Sequence, residues 1–141
     1  MHETWGVDAA LRLLSESPAW QSFGFSRSAR APDSSEVELV DIERWVQPHG
    51  VIHGGVLSAL ADTAAVARLY VDLPRDRVLT SIEFKLNFLR GALVDNGPLS
   101  AHAEPVRAGR RVQVAEVSVR QGERELARGL FTYIVLEREN K

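Results

Sequence analysis

One acid stands in the middle of an apolar helix in this chain, and it is the residue best placed to do chemistry. Asp62 belongs to the run Leu57-Ser58-Ala59-Leu60-Ala61-Asp62-Thr63-Ala64, within a stretch from Val56 to Val71 that is rich in Ala and Leu and free of Pro. The stretch reads as a helix. Its polar residues, Ser58, Asp62, Thr63 and Arg68, are few and scattered, so the helix is expected to be buried on most sides. A carboxylate there costs free energy unless it is paired, hydrogen-bonded or protonated. Asp62 is therefore a candidate nucleophile or general base, with a structural acid bonded to Ser58 or to a loop as the plainer reading.

The helix start, His53-Gly54-Gly55, is the second candidate. The first N–H groups of a helix lack partners within it and sit at the positive end of its macrodipole. Glycine lets a carbonyl oxygen come close to them, so Gly54 and Gly55 outline a pocket for charge that develops on that oxygen. His53 reads either as part of this pocket or as the helix cap. Asp62 lies eight residues beyond Gly54, roughly 12 Å along the axis. One helix cannot bring both groups to one carbonyl. Two antiparallel helices related by a two-fold axis can, and the spacing therefore points to a homodimer.

Composition narrows the classes. The 141 residues suit a single domain, 1–141. A net charge of −2 gives no basic excess for nucleic acid or a membrane surface. With no cysteine there are no disulfides and no thiolate ligands, and four scattered histidines make a metal centre unexpected. The start Met1-His2-Glu3-Thr4-Trp5 has neither a basic nor an apolar targeting region. No stretch reaches the roughly 20 apolar residues that a bilayer requires, so a cytoplasmic protein is expected.

Around the central helix the chain reads as strands. Asp8 is expected to cap a short helix that stops before Pro18, giving a helical lid over about 8–25, with Trp20, Phe23 and Phe25 read as core ahead of the alternative, pocket wall. A strand is expected from Glu36 to Glu43, then a loop from Arg44 to Ile52. From Val78 to Leu89, apolar Val78, Ile82, Phe84, Leu86 and Phe88 alternate with polar positions, which puts Ser81 on the opposite face from Ile82 and Phe84. Further strands are expected over Gly97–Arg107, Arg110–Gln121 and Glu125–Glu137, joined as hairpins, with a bulge between Val114 and Val117. The result is an α+β domain: an antiparallel sheet that curls around one long helix.

This layout, with His53-Gly54-Gly55, the run from Leu57 to Ala64, Gln47 ahead of the loop and Asn87-Phe88-Leu89-Arg90 after it, resembles the hotdog-fold acyl-CoA thioesterases of the phenylacetate-degradation and 4-hydroxybenzoyl-CoA types. The resemblance covers about residues 36 to 137. It implies that Asp62 is nucleophile or general base and that Gly54 donates its N–H to the thioester carbonyl. It further implies that Gln47 positions substrate or water, that His53 lies near the same carbonyl, and that Ser81 is the nearest match to a strand serine that holds the water. A hydroxyl one turn after the acid, found in the 4-hydroxybenzoyl type, is absent here because that position is Val66. Gly55 and Arg90 are expected at the substrate, Arg90 at the coenzyme A phosphates; Arg107, Arg110 and Arg111 read either as further phosphate ligands or as solvated turn residues. Coenzyme A is then part of the substrate and no separate cofactor is implied. The implied assembly is a homodimer or homotetramer with shared sites. A hotdog-fold enoyl-CoA hydratase or dehydratase, or a non-catalytic acyl-CoA-binding protein, are the alternatives.

Overall fold

The computed structural model describes residues 3–139. Helices α1 (Gly6–Ser15) and α2 (Pro18–Phe23) precede two three-residue strands, β1 (Phe25–Arg27) and β2 (Val37–Leu39). The long helix α3 (Gly54–Val71) follows, and then strands β3 (Arg77–Phe88), β4 (Leu99–Ala108), β5 (Val112–Gln121) and β6 (Arg124–Glu137). All strand pairs are antiparallel, in the order β1-β2-β4-β5-β6-β3. The sheet curls around α3, whose Leu60, Ala61, Ala64, Ala65 and Ala67 are fully buried. Alanines on the helix face Ala101, Ala103 and Ala115 of the sheet core, and side chains this small let helix and sheet approach closely. This is the hotdog arrangement expected from the sequence. No helix among the described residues is long and apolar enough to cross a membrane.

The amino-terminal lid differs in detail. Asp8 does not cap α1, which begins earlier, after Trp5; Asp8 sits in the first turn and accepts a 2.7 Å hydrogen bond from Arg27. Ser17-Pro18 opens a second helix, the serine capping Trp20 N–H and the proline filling the first turn, where no N–H is needed. Gly24, at φ +81°, ends it and turns the chain into β1, a strand that the aromatic run Trp20–Phe25 conceals. Trp20 and Phe25 are core residues, as expected.

Glu36 to Glu43 is not one strand. Only Val37–Leu39 pairs, because Val40 turns outward and the chain tightens into a 3-10 turn at Glu43–Trp45. Nor does β5 carry the expected bulge: Gln113, Ala115, Val117, Val119 and Gln121 all face inward without a break. The extra residues lie in its neighbours, at Val106 of β4 and Leu126 of β6. Gln113 makes the apolar phase look shifted, since it occupies an inward position and donates to Gly109 O.

Strand β3 is an edge, and it too is irregular. Its partner register steps at Ile82: Ser81 lies opposite Tyr133, Glu83 opposite Thr132 and Phe84 opposite Phe131. Directly opposed residues share a face. The bulge thus returns Ser81 and Phe84 to one face, the face of buried Tyr133 and Phe131, which strict alternation forbids. In the single chain Ile82, Phe84 and Phe88 are half exposed. Gly129 of β6 pairs with Leu86 of β3, and a Cβ on Gly129 would run into the backbone of Lys85 and Leu86. Gly129→Ala is accordingly expected to lower stability by about 2–4 kcal/mol, read from the urea midpoint, with β3 amides losing hydrogen-exchange protection first.

Candidate active site

The approach to α3 is held by backbone hydrogen bonds. Gln47 and Val51 close a tight loop through Gln47 N–H to Val51 O at 2.8 Å, with Gly50 at φ +89° making the turn. Ile52 N–H reaches Ala92 O and His53 N–H reaches Trp45 O, both at 2.9 Å. His53 is the N-cap, its Nδ1 accepting the Gly55 N–H at 2.8 Å. A Cβ on Gly55 would lie 2.9 Å from that ring, so glycine makes room for the cap. Val56 N–H is taken by His53 O. Among the described residues, the Gly54 N–H has no partner.

That free donor opens onto a cleft of about 330 Å³, lined by Gln47, Gly54, Leu57, Phe88 and Arg90 among others. The Phe88 ring is its aromatic wall, 3.2 Å from where a Gly54 Cβ would be. Arg90 is anchored at the rim by donating to Glu125 O at 2.9 Å. Gln47, Gly54 and Arg90 are thus gathered at one place. Arg107, Arg110 and Arg111 are elsewhere, around a cleft of about 960 Å³ beside the carboxyl end of α3.

Asp62 is in neither cleft. It is half-buried on α3, and its Oδ1 accepts a 2.5 Å hydrogen bond from the Tyr133 hydroxyl of β6. Burial raises the Asp62 pKa above the ordinary carboxylate value, and the Tyr133 hydrogen bond partly offsets this. Burial, and then the adjacent acid, push the phenol far above its own usual range, so Tyr133 stays a donor. Ser58 is not the partner of Asp62, since its hydroxyl bonds Gly54 O. Across three strands, Ser81, Tyr133 and Gln113 are in register and form a polar rung beside the apolar side chains of Phe131 and Ala115. In one chain, then, the expected site residues fall into two groups: Gln47, His53, Gly54, Gly55 and Arg90 at the helix start, and Asp62 with Ser81 further along.

Sequence reading missed Tyr133. A tyrosine at an inward strand position next to Phe131 must find a partner for its hydroxyl, and Asp62 was the one acid expected inside.

Comparison with known proteins identifies the family. The family model of the thioesterase superfamily matches residues 49–128. A Haemophilus influenzae protein named "Putative esterase" is 32% identical over 116 residues, which are 82% of this chain and 83% of that protein. The 1,4-dihydroxy-2-naphthoyl-CoA hydrolase of Listeria monocytogenes is 32% identical over 83 residues, 59% of this chain and 66% of that one. Among solved structures, a thioesterase from Haemophilus influenzae superposes with a TM-score of 0.80 at 26% identity, covering 96% of this chain and 94% of that chain. With a helix wrapped by a curled sheet, an acid inside and a free N–H at the helix start, the chain belongs to the thioesterase superfamily of hotdog-fold hydrolases.

Proposed function

We propose that the protein hydrolyses the thioester of an aryl-CoA or medium-chain acyl-CoA, giving the free acid and coenzyme A, at sites shared between two copies of the chain. One observation carries the shared site: within a chain, Asp62 and the free Gly54 N–H stand about two helical turns apart, roughly 12 Å. Strand β3 supplies the means of bringing copies together. It is an unpaired edge with half-exposed Ile82, Phe84 and Phe88, a surface that another strand can cover. Antiparallel pairing of two such edges sets one helix start beside the partner's acid. Leu130, Ile134 and Leu136 on the outer face of β6 are exposed as well, which supports a tetramer of two such dimers.

In this reading the thioester oxygen is received by Gly54 N–H and the positive end of α3, with Gln47 beside it. From the other copy, the Asp62 carboxylate takes a proton from a water near Ser81, or attacks the acyl carbon itself. Collapse of the tetrahedral adduct breaks the C–S bond and expels the coenzyme A thiolate, which takes the proton drawn from the water in the general-base route and a solvent proton in the Asp62-attack route, while Arg90 holds its phosphates at the rim. In the Asp62-attack route, water then cleaves the acyl-enzyme anhydride to regenerate the acid. Phe88 beside Gly54 favours a flat or apolar acyl group. The test is release of free thiol from a panel of aryl-CoA and acyl-CoA thioesters of graded length. Turnover concentrated on aryl or medium-chain members is expected; hydration of an enoyl-CoA without thiol release, or binding without turnover, would overturn the reading.

A further inference from the structure

The acid on α3 is held by one hydroxyl that belongs to the sheet. Tyr133 is 1% exposed and sits between Ser81 and Gln113 in the register. Its single proton is directed to Asp62 Oδ1 at 2.5 Å, with Asp62 O further off at 3.3 Å. Asp62 Oδ2 has no hydrogen-bond partner among the described residues. We propose that Tyr133 is a positioning residue for the hydrolysis: it ties down Oδ1 and thereby selects Oδ2 as the oxygen that meets the water or the acyl carbon. This rests on the thioesterase reading above and adds to it a residue that touches only the acid.

Both groups sit on stiff supports, an 18-residue helix and a central stretch of a 14-residue strand. A carboxylate tied at one oxygen loses rotation and keeps the other oxygen aimed, which is how a neighbouring group improves the geometry of a reacting one. The same hydrogen bond favours the charged acid, which hydrolysis needs in either mechanism. No charge from the surrounding elements does this instead. The inward positions of β2 and β4 are aliphatic, β5 presents Gln113, β3 presents Ser81, and α1 presents Ala10 and Leu11. Tyr133 is the one ionisable neighbour of Asp62 among the described residues.

The test compares wild type with Tyr133→Phe in the intact oligomer, using whichever CoA thioester the panel identifies, across pH 5 to 9. Separately, the carboxyl ¹³C signal of Asp62 is titrated, a readout independent of turnover. Tyr133→Phe is expected to lower kcat about tenfold at pH 7 with KM nearly unchanged, since the lost bond goes to a charged group. The acid limb of kcat and the ¹³C midpoint should both move up by about one pH unit, and the loss of kcat should persist on the alkaline plateau, where the acid is ionised in both enzymes and only its aim differs. If the phenylalanine variant does not fold, 3-fluorotyrosine at position 133, a stronger donor of the same shape, should move the midpoint down. A midpoint and a limb that stay at their wild-type values in an active enzyme would overturn the positioning role alone. Absence of turnover on every thioester would overturn the thioesterase reading and this proposal with it.

Discussion

Asp62→Asn is expected to reduce thioester hydrolysis by at least about a thousandfold while making the protein more stable at neutral pH. The loss follows from chemistry: an amide neither attacks an acyl carbon nor takes a proton from water, and a missing base or nucleophile costs factors of this order. The gain follows from burial. Asp62 has a folded-state pKa raised above 3.8, first by desolvation, with the Tyr133 hydrogen bond opposing. The fold therefore binds this proton more tightly than the unfolded chain does. Stability from this group is complete below the unfolded value and is lost as pH rises through the folded one. At pH 7.5 the ionised acid is a net cost, and asparagine keeps an acceptor for the Tyr133 O–H without the charge. Thermal unfolding should accordingly show Asp62→Asn above wild type by about 2–4 °C at pH 7.5 and level with it near pH 4. Wild-type activity should fall away on the acid side at a pH above the ordinary carboxylate range. A variant that hydrolyses thioesters normally would remove Asp62 from the mechanism whatever its melting point.

What could be read in advance, and what could not, divides along one physical line. Features set by a short stretch of chain were legible. The long helix behind His53-Gly54-Gly55 was expected from Val56 and begins two residues earlier, at Gly54, and the long strands β3 to β6 follow from their alternation and turn residues. Gln47 and Gly54 were expected side by side, and they line one cleft, which Arg90, expected only at the coenzyme A phosphates, lines as well. Features set by pairing were not legible. The Ile82 bulge exists only relative to Tyr133 and Thr132 of β6, and without it Ser81 is assigned to the wrong face. The Tyr133 partner of Asp62 lies 71 residues away and is invisible to any local pattern. Even within β5, one inward Gln113 mimicked a slip that belongs to the neighbouring strands. The same division explains Asp8, which looked like a cap by spacing yet serves as the acceptor for Arg27 of β1.

The largest single effect is expected when two dead variants are combined. Gly54→Pro removes the free N–H itself, and the position tolerates it: it is the first residue of α3, where proline is favoured. His53 before it already has φ −57° and ψ 128°, the extended conformation that a following proline requires. Phe88, half exposed, has room to swing from the new ring. Loss of one such donor lowers kcat about 10²- to 10³-fold. Gly54→Pro and Asp62→Asn homodimers are then both nearly inactive. In a hybrid dimer, one site joins Gly54 of the Asp62→Asn chain to Asp62 of the Gly54→Pro chain, and the other site carries both lesions. Equal mixing by co-expression makes about half the dimers hybrid with one intact site each, so activity should return to about a quarter of wild type. Hybrids isolated with two affinity tags should reach about half. If acid and donor served one carbonyl from within a single chain, neither preparation would exceed the sum of its parents, because no chain would carry both groups intact.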